Sequence, residues 1–193
     1  KWWYNINNHV TEGGRSGYEY FEDSDNKIYV MAQFYPRMAV YNDVEGWQNS
    51  QFFGRDEFAL PFGNFEVNIT VPDDHVLDGT GRLTNRSEVF SKEMMKRFEK
   101  AKKSFDEPVE IVTQKEAEAA AKKKSKGTKT WKLYAENVRD FGWTSSRLHI
   151  WDMMAVKIGN KNVMAVSLYP PEANPLWGDW STKTVASTLI SYS

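Results

Sequence analysis

Strict alternation of apolar and polar residues marks the clearest strand in the chain. Between Phe65 and Val71 every second residue is apolar, and Pro72 followed by two aspartates ends the run. A period of two places all the apolar side chains on one face of an extended segment. The pattern therefore predicts a strand with one face in the core and the other in water.

Other apolar runs along the chain are also typical of strands. Residues 27–33 and 37–41 are separated by Pro36, which breaks or edges a strand, so we expect them to pair across a bend. Residues 131–135 alternate, and residues 162–169 are apolar on both faces, as in a strand covered on both sides. These runs predict a mainly β fold, a β-sandwich or saddle-like pair of sheets.

A helical insertion is expected to interrupt the strands at about residues 87–126. Apolar residues recur at helical spacing from Met94 to Phe105, and Pro108 is expected to end this first helix. The second helix opens with a capping box from Thr113 to Glu116 and ends in three lysines, which suit a helix C-terminus. The pattern predicts a helical hairpin inserted into the sheets.

A domain boundary is predicted near Pro175. Residues 181–193 have helical spacing, and we interpret residues 176–193 as the start of a following domain. Residues 1–175 would form a β-domain that is incomplete at its N-terminus, because the chain begins without Met in a strand-like, aromatic segment. The expectation is a piece of a longer polypeptide.

Composition excludes several classes of function. The 193 residues include 25 basic and 26 acidic side chains, so the net charge of −1 gives no field for binding nucleic acid or an anionic membrane surface. Cysteine is absent, which excludes disulfides, thiolate nucleophiles and thiolate zinc ligands. No apolar run reaches the length of a membrane span.

Motifs for catalysis or metal binding are missing from the sequence. There are three histidines, and no His-Glu-x-x-His and no Gly-x-Ser-x-Gly. We interpret His9, His75 and His149 as polar residues of loops or strand edges, and the lysine-rich residues 122–129 as a solvated helix end and loop. No catalytic residue and no metal ligand is predicted in this chain.

Aromatic residues in loop-rich sequence are the remaining functional signal, and they have two interpretations. They are platforms of a carbohydrate-binding sandwich, or they close the ends of the sandwich and face a neighbouring domain, which we favour because aromatic residues mostly become buried. The residues are Trp2, Trp3, Tyr4, Trp47, Trp177 and Trp180.

Three segments together resemble a known domain. Residues 33–43 (Gln-Phe-Tyr-Pro-Arg-Met-Ala-Val-Tyr-Asn-Asp), the strand at residues 65–72 and residues 129–141 occur in the order found in the aminopeptidase N family of zinc metallopeptidases, the gluzincins. The resemblance is to the non-catalytic N-terminal β-domain of a divergent bacterial-type member. It implies a β-saddle that packs on the catalytic domain of the same polypeptide and helps form the cleft for a peptide substrate.

The same resemblance implies roles for Gln33 and Tyr35. Gln33 matches a glutamine that lines the pocket for the substrate's first side chain, and Tyr35 stands where the family has a glutamate that binds the substrate amine. Tyrosine forms hydrogen bonds but supplies no anion near neutral pH. The zinc ligands and catalytic base would lie beyond Ser193, so zinc, and the water that it activates to attack a peptide carbonyl, are expected in the parent enzyme and not in this piece.

We therefore expect a domain that does not hydrolyse peptides by itself. The alternatives are a carbohydrate- or protein-binding β-sandwich module and, less favoured, a structural spacer. Strands that the family places before Trp2 would be missing, so unpaired strand edges and concentration-dependent self-association are expected. The sequence leaves the compartment open, with the periplasm or envelope of a bacterium as one option.

Overall fold

Strands grouped into antiparallel sheets form most of the regular structure in the computed structural model, which describes residues 1–50 and 59–193. The mainly β fold predicted from the sequence is confirmed. The strands are β1 (Gly17–Phe21), β2 (Asn26–Met31), β3 (Val40–Asn42), β4 (Gly46–Gln48), β5 (Gly63–Pro72), β6 (Val76–Gly79), β7 (Arg82–Leu83), β8 (Val109–Val112), β9 (Thr128–Val138), β10 (Trp143–Ser146), β11 (Ile150–Ile158) and β12 (Lys161–Tyr169). The α-helices are α1 (His9–Glu12), α2 (Arg86–Val89), α3 (Lys92–Ala101), α4 (Gln114–Lys122) and α5 (Leu176–Ser191).

The strands form three sheets and one hairpin. Sheet I has the order β1-β2-β10-β6, sheet II the order β5-β9-β7, and sheet III the order β12-β11-β8. Strands β3 and β4 pair only with each other among the described residues. Neighbours in a sheet are therefore often distant in sequence.

Strand β5 forms as its alternation predicts. It pairs along its length with β9, with Val67 opposite Leu133 and Ile69 opposite Trp131. Side chains of β5 alternate between exposed and at least partly buried, and Ile69 and Val71 are buried. The two expected strands at residues 65–71 and 131–135 are thus direct neighbours in sheet II.

The predicted pairing of residues 27–33 with residues 37–41 is wrong. Strand β2 lies between β1 and β10, whereas β3 pairs with β4, which places Val40 opposite Gln48. The tight turn between β3 and β4 explains the difference. In this turn the side-chain carbonyl of Asn42 accepts hydrogen bonds from two backbone N–H groups, at 3.0 and 2.7 Å, and Gly46 has φ +73°.

The helical insertion is present, but it is not a hairpin. The hydroxyl of Ser91 caps α3, which ends at Ala101, so Phe105 lies outside the helix and is exposed, and Pro108 does not end it. Strand β8 then separates α3 from α4 and joins sheet III beside β11. The predicted capping box at Thr113 is confirmed, with the Glu116 carboxylate accepting from the Thr113 N–H at 2.9 Å.

The main core lies between sheets II and III and includes α2 and α3. Trp131 of β9 and Trp151 of β11 are both fully buried, with ring centroids 6.3 Å apart, and Phe90 packs edge-on against Trp151 at 5.3 Å. Helix α5 begins at Leu176, five residues earlier than expected, and packs on β11 and β12 through buried residues that include Ala186. No helix within the described ranges is long and apolar enough to cross a membrane.

Candidate functional site

The loop that carries both predicted site residues is anchored to the connection between β9 and β10. The hydroxyl of Tyr35 donates to Asp140 Oδ1 at 2.9 Å. Arg37 Nη1 lies 3.2 Å from the same oxygen, and Arg37 Nη2 donates to the carbonyl of Arg139 at 2.6 Å. We call residues 33–37 the 33–37 loop; its polar contacts converge on Asp140 and its neighbour.

Aromatic packing holds the 33–37 loop from the other side. The Tyr35 ring meets Phe65 of β5 edge-on, with centroids 5.7 Å apart. Phe34 lies edge-on to Tyr35 at 5.3 Å and to Trp143 of β10 at 6.1 Å. These edge-on contacts add to the apolar burial and fix the ring orientations. The loop is thereby held between sheet I and sheet II.

The Tyr35 hydroxyl is a donor that stays protonated. Burial, the hydrogen bond to Asp140 and the negative charge of Asp140 together raise the pKa of Tyr35 to about 12. A neutral phenol has one proton to donate, and here Asp140 accepts it. The structure therefore places the Tyr35 hydroxyl inside the domain's own hydrogen-bond network.

Gln33 is held in an unusual backbone conformation. Its φ is +53°, in the left-handed region that residues other than glycine rarely adopt. Such a conformation costs on the order of 1 kcal/mol or more and persists where the surrounding structure enforces it, often at ligand-binding sites. The side chain is half-buried and has no hydrogen-bond partner among the described residues. Within the described ranges, Gln33 is thus a half-buried polar residue of this loop whose side-chain amide has no hydrogen-bond partner.

Sequence reasoning placed Gln33 and Tyr35 in one site, and the structure puts them on one loop with different surroundings. The prediction from the sequence did not identify Arg37 and Asp140 as the residues whose contacts hold this loop. Arg37 lies within the segment that carries the resemblance, so its charge was a visible signal. Asp140 is 105 residues from Tyr35, and no spacing rule connects the two.

Two histidines are buried in sheet I and its surroundings. His75 precedes β6, and its Nδ1 lies 2.9 Å from Ser145 Oγ; His149 precedes β11, and its Nε2 lies 3.3 Å from Thr144 Oγ1. Burial lowers the pKa of His75 to about 4 and that of His149 to about 3. Both rings are therefore neutral near pH 7. Both lie in short connections directly before a strand, and both side chains are in the interior.

A buried carboxylate connects sheet III to α5. Asp152 of β11 is 2% exposed and accepts hydrogen bonds from the hydroxyls of Tyr169 (2.8 Å) and Thr182. Burial raises the pKa of Asp152, although both hydrogen bonds favour its charged form. One carboxylate that is satisfied by two hydroxyl donors stabilises the packing of a helix on a sheet. Glu110 of β8 lies opposite Asp152 in sheet III, and burial together with the charge of Asp152 raises the pKa of Glu110.

A cavity of about 400 Å³ lies beside α2 and α3. Its lining includes Asp78, Arg86, Phe98 and Trp151, and the Arg86 guanidinium lies 4.1 Å from the centre of the Phe98 ring. Burial raises the pKa of Asp78 to about 6. None of the lining residues belongs to the 33–37 loop, so the cavity is separate from it.

Several large apolar side chains are exposed on two elements. On α5, Leu176, Trp177 and Trp180 are 66%, 46% and 64% exposed. On the β3–β4 hairpin, Tyr41 and Trp47 are exposed, and their rings pack edge-on at 5.2 Å. The aromatic residues singled out in the sequence are thus largely on the surface of the described structure.

Metal ligands do not cluster in the part of the chain that the structure describes. Within residues 1–50 and 59–193, no three side chains of the types that bind metal ions lie close enough to hold one. Comparison of the chain with models of protein families, with curated proteins and with solved structures gives no match.

Proposed function

We propose that this chain is the non-catalytic β-domain of a zinc aminopeptidase-like metallopeptidase. In this role it packs on the catalytic domain of the same polypeptide and helps form the cleft for a peptide substrate. The observation that carries the proposal is the anchored 33–37 loop, which holds Gln33 at φ +53° with its side-chain amide unpaired among the described residues. Strain at a polar residue on a rigid support is typical of a ligand-binding position.

The contacts of the 33–37 loop support the proposal in a second way. The resemblance rests on segments that are far apart in sequence, and two of them, residues 33–43 and residues 129–141, meet through the hydrogen bond from Tyr35 to Asp140. The third, at residues 65–72, contacts the same tyrosine through Phe65. Segments that resemble one domain would be expected to assemble around one site.

Gln33 and Tyr35 have different roles in this proposal. Gln33 contacts the substrate, because its amide can both donate and accept a hydrogen bond. Tyr35 is a positioning residue: its hydroxyl is bound to Asp140, and its ring packs on Phe65, so it fixes the loop that presents Gln33. In this proposal Tyr35 therefore does not supply an anion for binding the substrate amine.

Helix α5 supports an arrangement with a neighbouring domain. One side of the helix packs on β11 and β12, while Leu176, Trp177 and Trp180 on other sides are exposed. Large exposed apolar patches mark interaction surfaces. In the proposed enzyme the catalytic domain covers this surface.

The first test is the activity of the purified chain with an aminoacyl reporter substrate. The proposal expects no hydrolysis, and turnover that a chelator abolishes would contradict the non-catalytic role. The second test is the coding sequence that follows Ser193, where the proposal expects a His-Glu-x-x-His motif. A coding sequence without any metallopeptidase motif would end the proposal.

The role of Gln33 is tested in the parent enzyme. Replacement of Gln33 by alanine removes the side-chain amide and is expected to lower kcat/KM about tenfold, the effect of losing about 1.4 kcal/mol of binding. The control is Gln48→Ala on β4, the same change outside the 33–37 loop. Equal activity of the two variants, with unchanged unfolding of both, would contradict a substrate contact by Gln33.

A second candidate function is a carbohydrate-binding module. It is favoured by the exposed pair of Tyr41 and Trp47, since aromatic rings on a surface can stack on sugar rings. Titration with oligosaccharides while tryptophan fluorescence is followed separates this function from the first. Saturable binding that Trp47→Ala abolishes and Trp180→Ala retains would favour the module.

A further inference from the structure

One long strand edge in the structure has no partner among the described residues. Strand β5 has ten residues, more than any other strand at a sheet edge in the described part of the chain, and it pairs with β9 on one side only. An edge strand presents a row of unpaired backbone groups that can pair with another strand. Which backbone groups face the open side follows from the contacts of β9.

The opposite side of β9 fixes the hydrogen-bonding direction of both strands. The carbonyl of Lys132 accepts from Thr84 N at 2.8 Å, and Lys132 N donates to Asn85 Oδ1 at 2.9 Å, both on the side away from β5. The backbone N–H and C=O groups of successive residues point to opposite sides of a strand. Those of Trp131 and Leu133 therefore point towards β5, where they form hydrogen bonds with the backbone of Ile69 and Val67. The backbone groups of Glu66, Asn68 and Thr70 consequently face the open edge.

These three residues also expose their side chains. Glu66, Asn68 and Thr70 are exposed, while Phe65 and Val67 on the other face are only half-buried. The strand has neither a lysine nor an internal proline, the residues by which natural edge strands usually block pairing. The open edge is therefore chemically ready to accept another strand.

We propose that the open edge of β5 pairs with β5 of a second copy, antiparallel about a two-fold axis through Asn68. In this register Asn68 lies opposite Asn68 of the other copy, and Glu66 lies opposite Thr70. Each of the three residues has one N–H and one C=O, so the six groups on each copy form six hydrogen bonds with the other copy. Sheet II of one copy then continues into sheet II of the other.

The side-chain pattern of β5 favours this occupant. With Asn68 on the axis, Val67 lies opposite Ile69 and Phe65 opposite Val71, so apolar residues meet apolar residues on the inner face. On the outer face no two like charges meet, because Glu66 is the only charged residue of the strand. The pairing also covers the exposed parts of Phe65 and Val67. A single strand edge buries little area, so the dimer is weak and concentration-dependent.

The test is the mass of the chain in solution from micromolar to millimolar concentration, by light scattering or sedimentation. A rise towards twice the chain mass is expected, and a monomeric mass up to millimolar concentration overturns the proposal. Two variants test the register. Asn68→Lys places two lysines opposite each other and is expected to weaken the dimer at least about threefold. Thr70→Lys places each lysine opposite Glu66 and is expected to strengthen it.

These two variants are matched controls for each other. They add the same charge to the same exposed face of one strand. Within one chain Asn68 lies opposite Lys132 of β9 and Thr70 lies opposite Thr130, so the folding stability of each variant is measured before the dimers are compared. The proposal requires opposite effects on the dimer, and effects of the same sign overturn it. Helical or sheet content measured by circular dichroism and an unchanged unfolding midpoint show that each variant is folded.

A cysteine scan gives an independent measurement, because the chain has no cysteine of its own. In the proposed register Asn68→Cys brings two Cα atoms to about 5.5 Å, which permits a disulfide. Thr70→Cys faces Glu66 and has no cysteine within reach. Oxidative dimerisation of the first variant and not the second is expected, and the reverse result overturns the register.

Discussion

At the scale of single residues, Asp140 carries the candidate site. Its Oδ1 accepts hydrogen bonds from the Tyr35 hydroxyl at 2.9 Å and from the Phe141 N–H at 2.8 Å, and it forms an ion pair with Arg37. One carboxylate oxygen thus ties the 33–37 loop to the connection between β9 and β10. A partner removed from such a network leaves the remaining groups unsatisfied, which costs more than the average hydrogen bond contributes.

Replacement of Asp140 by alanine is expected to lower the free energy of unfolding by about 2 kcal/mol, because Tyr35 loses its hydrogen-bond acceptor and Arg37 loses its ion-pair partner. Tyr35→Phe, which removes only the hydroxyl, is expected to cost about 1 kcal/mol. Urea unfolding measures both. The control is Asp106→Ala, the same change at an exposed position, with an expected effect within about 0.5 kcal/mol. If Asp140→Ala matches this control, Asp140 does not anchor the loop.

At the scale of elements, local patterns predicted what short-range physics determines. The alternation in β5, the capping box of α4 and the strand nature of β9 all follow from neighbours within a few residues. Strand β8 was missed because four residues between two helices carry too little pattern. Its identity as a strand depends on β11, about 40 residues later in the sequence.

The candidate site shows the same limit. Gln33 and Tyr35 were found through a resemblance, whereas the anchoring by Asp140 and the positive φ of Gln33 depend on contacts across the fold. The burial of Asp152 was also not evident, since a carboxylate in an apolar strand has no local signature of its partners. Only the approach of α5 to sheet III supplies Thr182 as one of its donors.

Thr182→Val tests how α5 is held on sheet III. The change keeps the shape of the side chain but removes the hydroxyl that donates to buried Asp152, so about 1–3 kcal/mol of stability is expected to be lost. Thr184→Val is the matched control, because Thr184 is exposed on the same helix. Unfolding by urea compares the two. Equal midpoints for both variants would show that the Asp152 contact does not hold the helix.

At the scale of the whole molecule, two ionisable groups make the free energy of unfolding depend on pH in opposite directions. Burial lowers the pKa of His75 from 6.5 to about 4. The contribution of His75 to the free energy of unfolding is therefore fully present above pH 6.5 and is lost as the pH falls towards 4. Burial raises the pKa of Asp78 from 3.8 to about 6, so its contribution is present below pH 3.8 and is lost as the pH rises through 6. The two slopes have opposite signs in the same pH window, so the effects of His75 and Asp78 on stability partly offset each other.

Single replacements should separate these slopes. The variant His75→Gln lacks the group that destabilises the original chain at acid pH. The free energy of unfolding of the variant, relative to that of the original chain, is therefore expected to rise by about 1–3 kcal/mol as the pH falls from 7 to 4. In Asp78→Asn the loss at rising pH is absent, so its relative stability is expected to rise as the pH increases from 4 to 7. Urea unfolding at several pH values measures both differences. Because only the slope is compared, a constant cost of either replacement does not matter, and two flat differences would show that neither group titrates differently on folding.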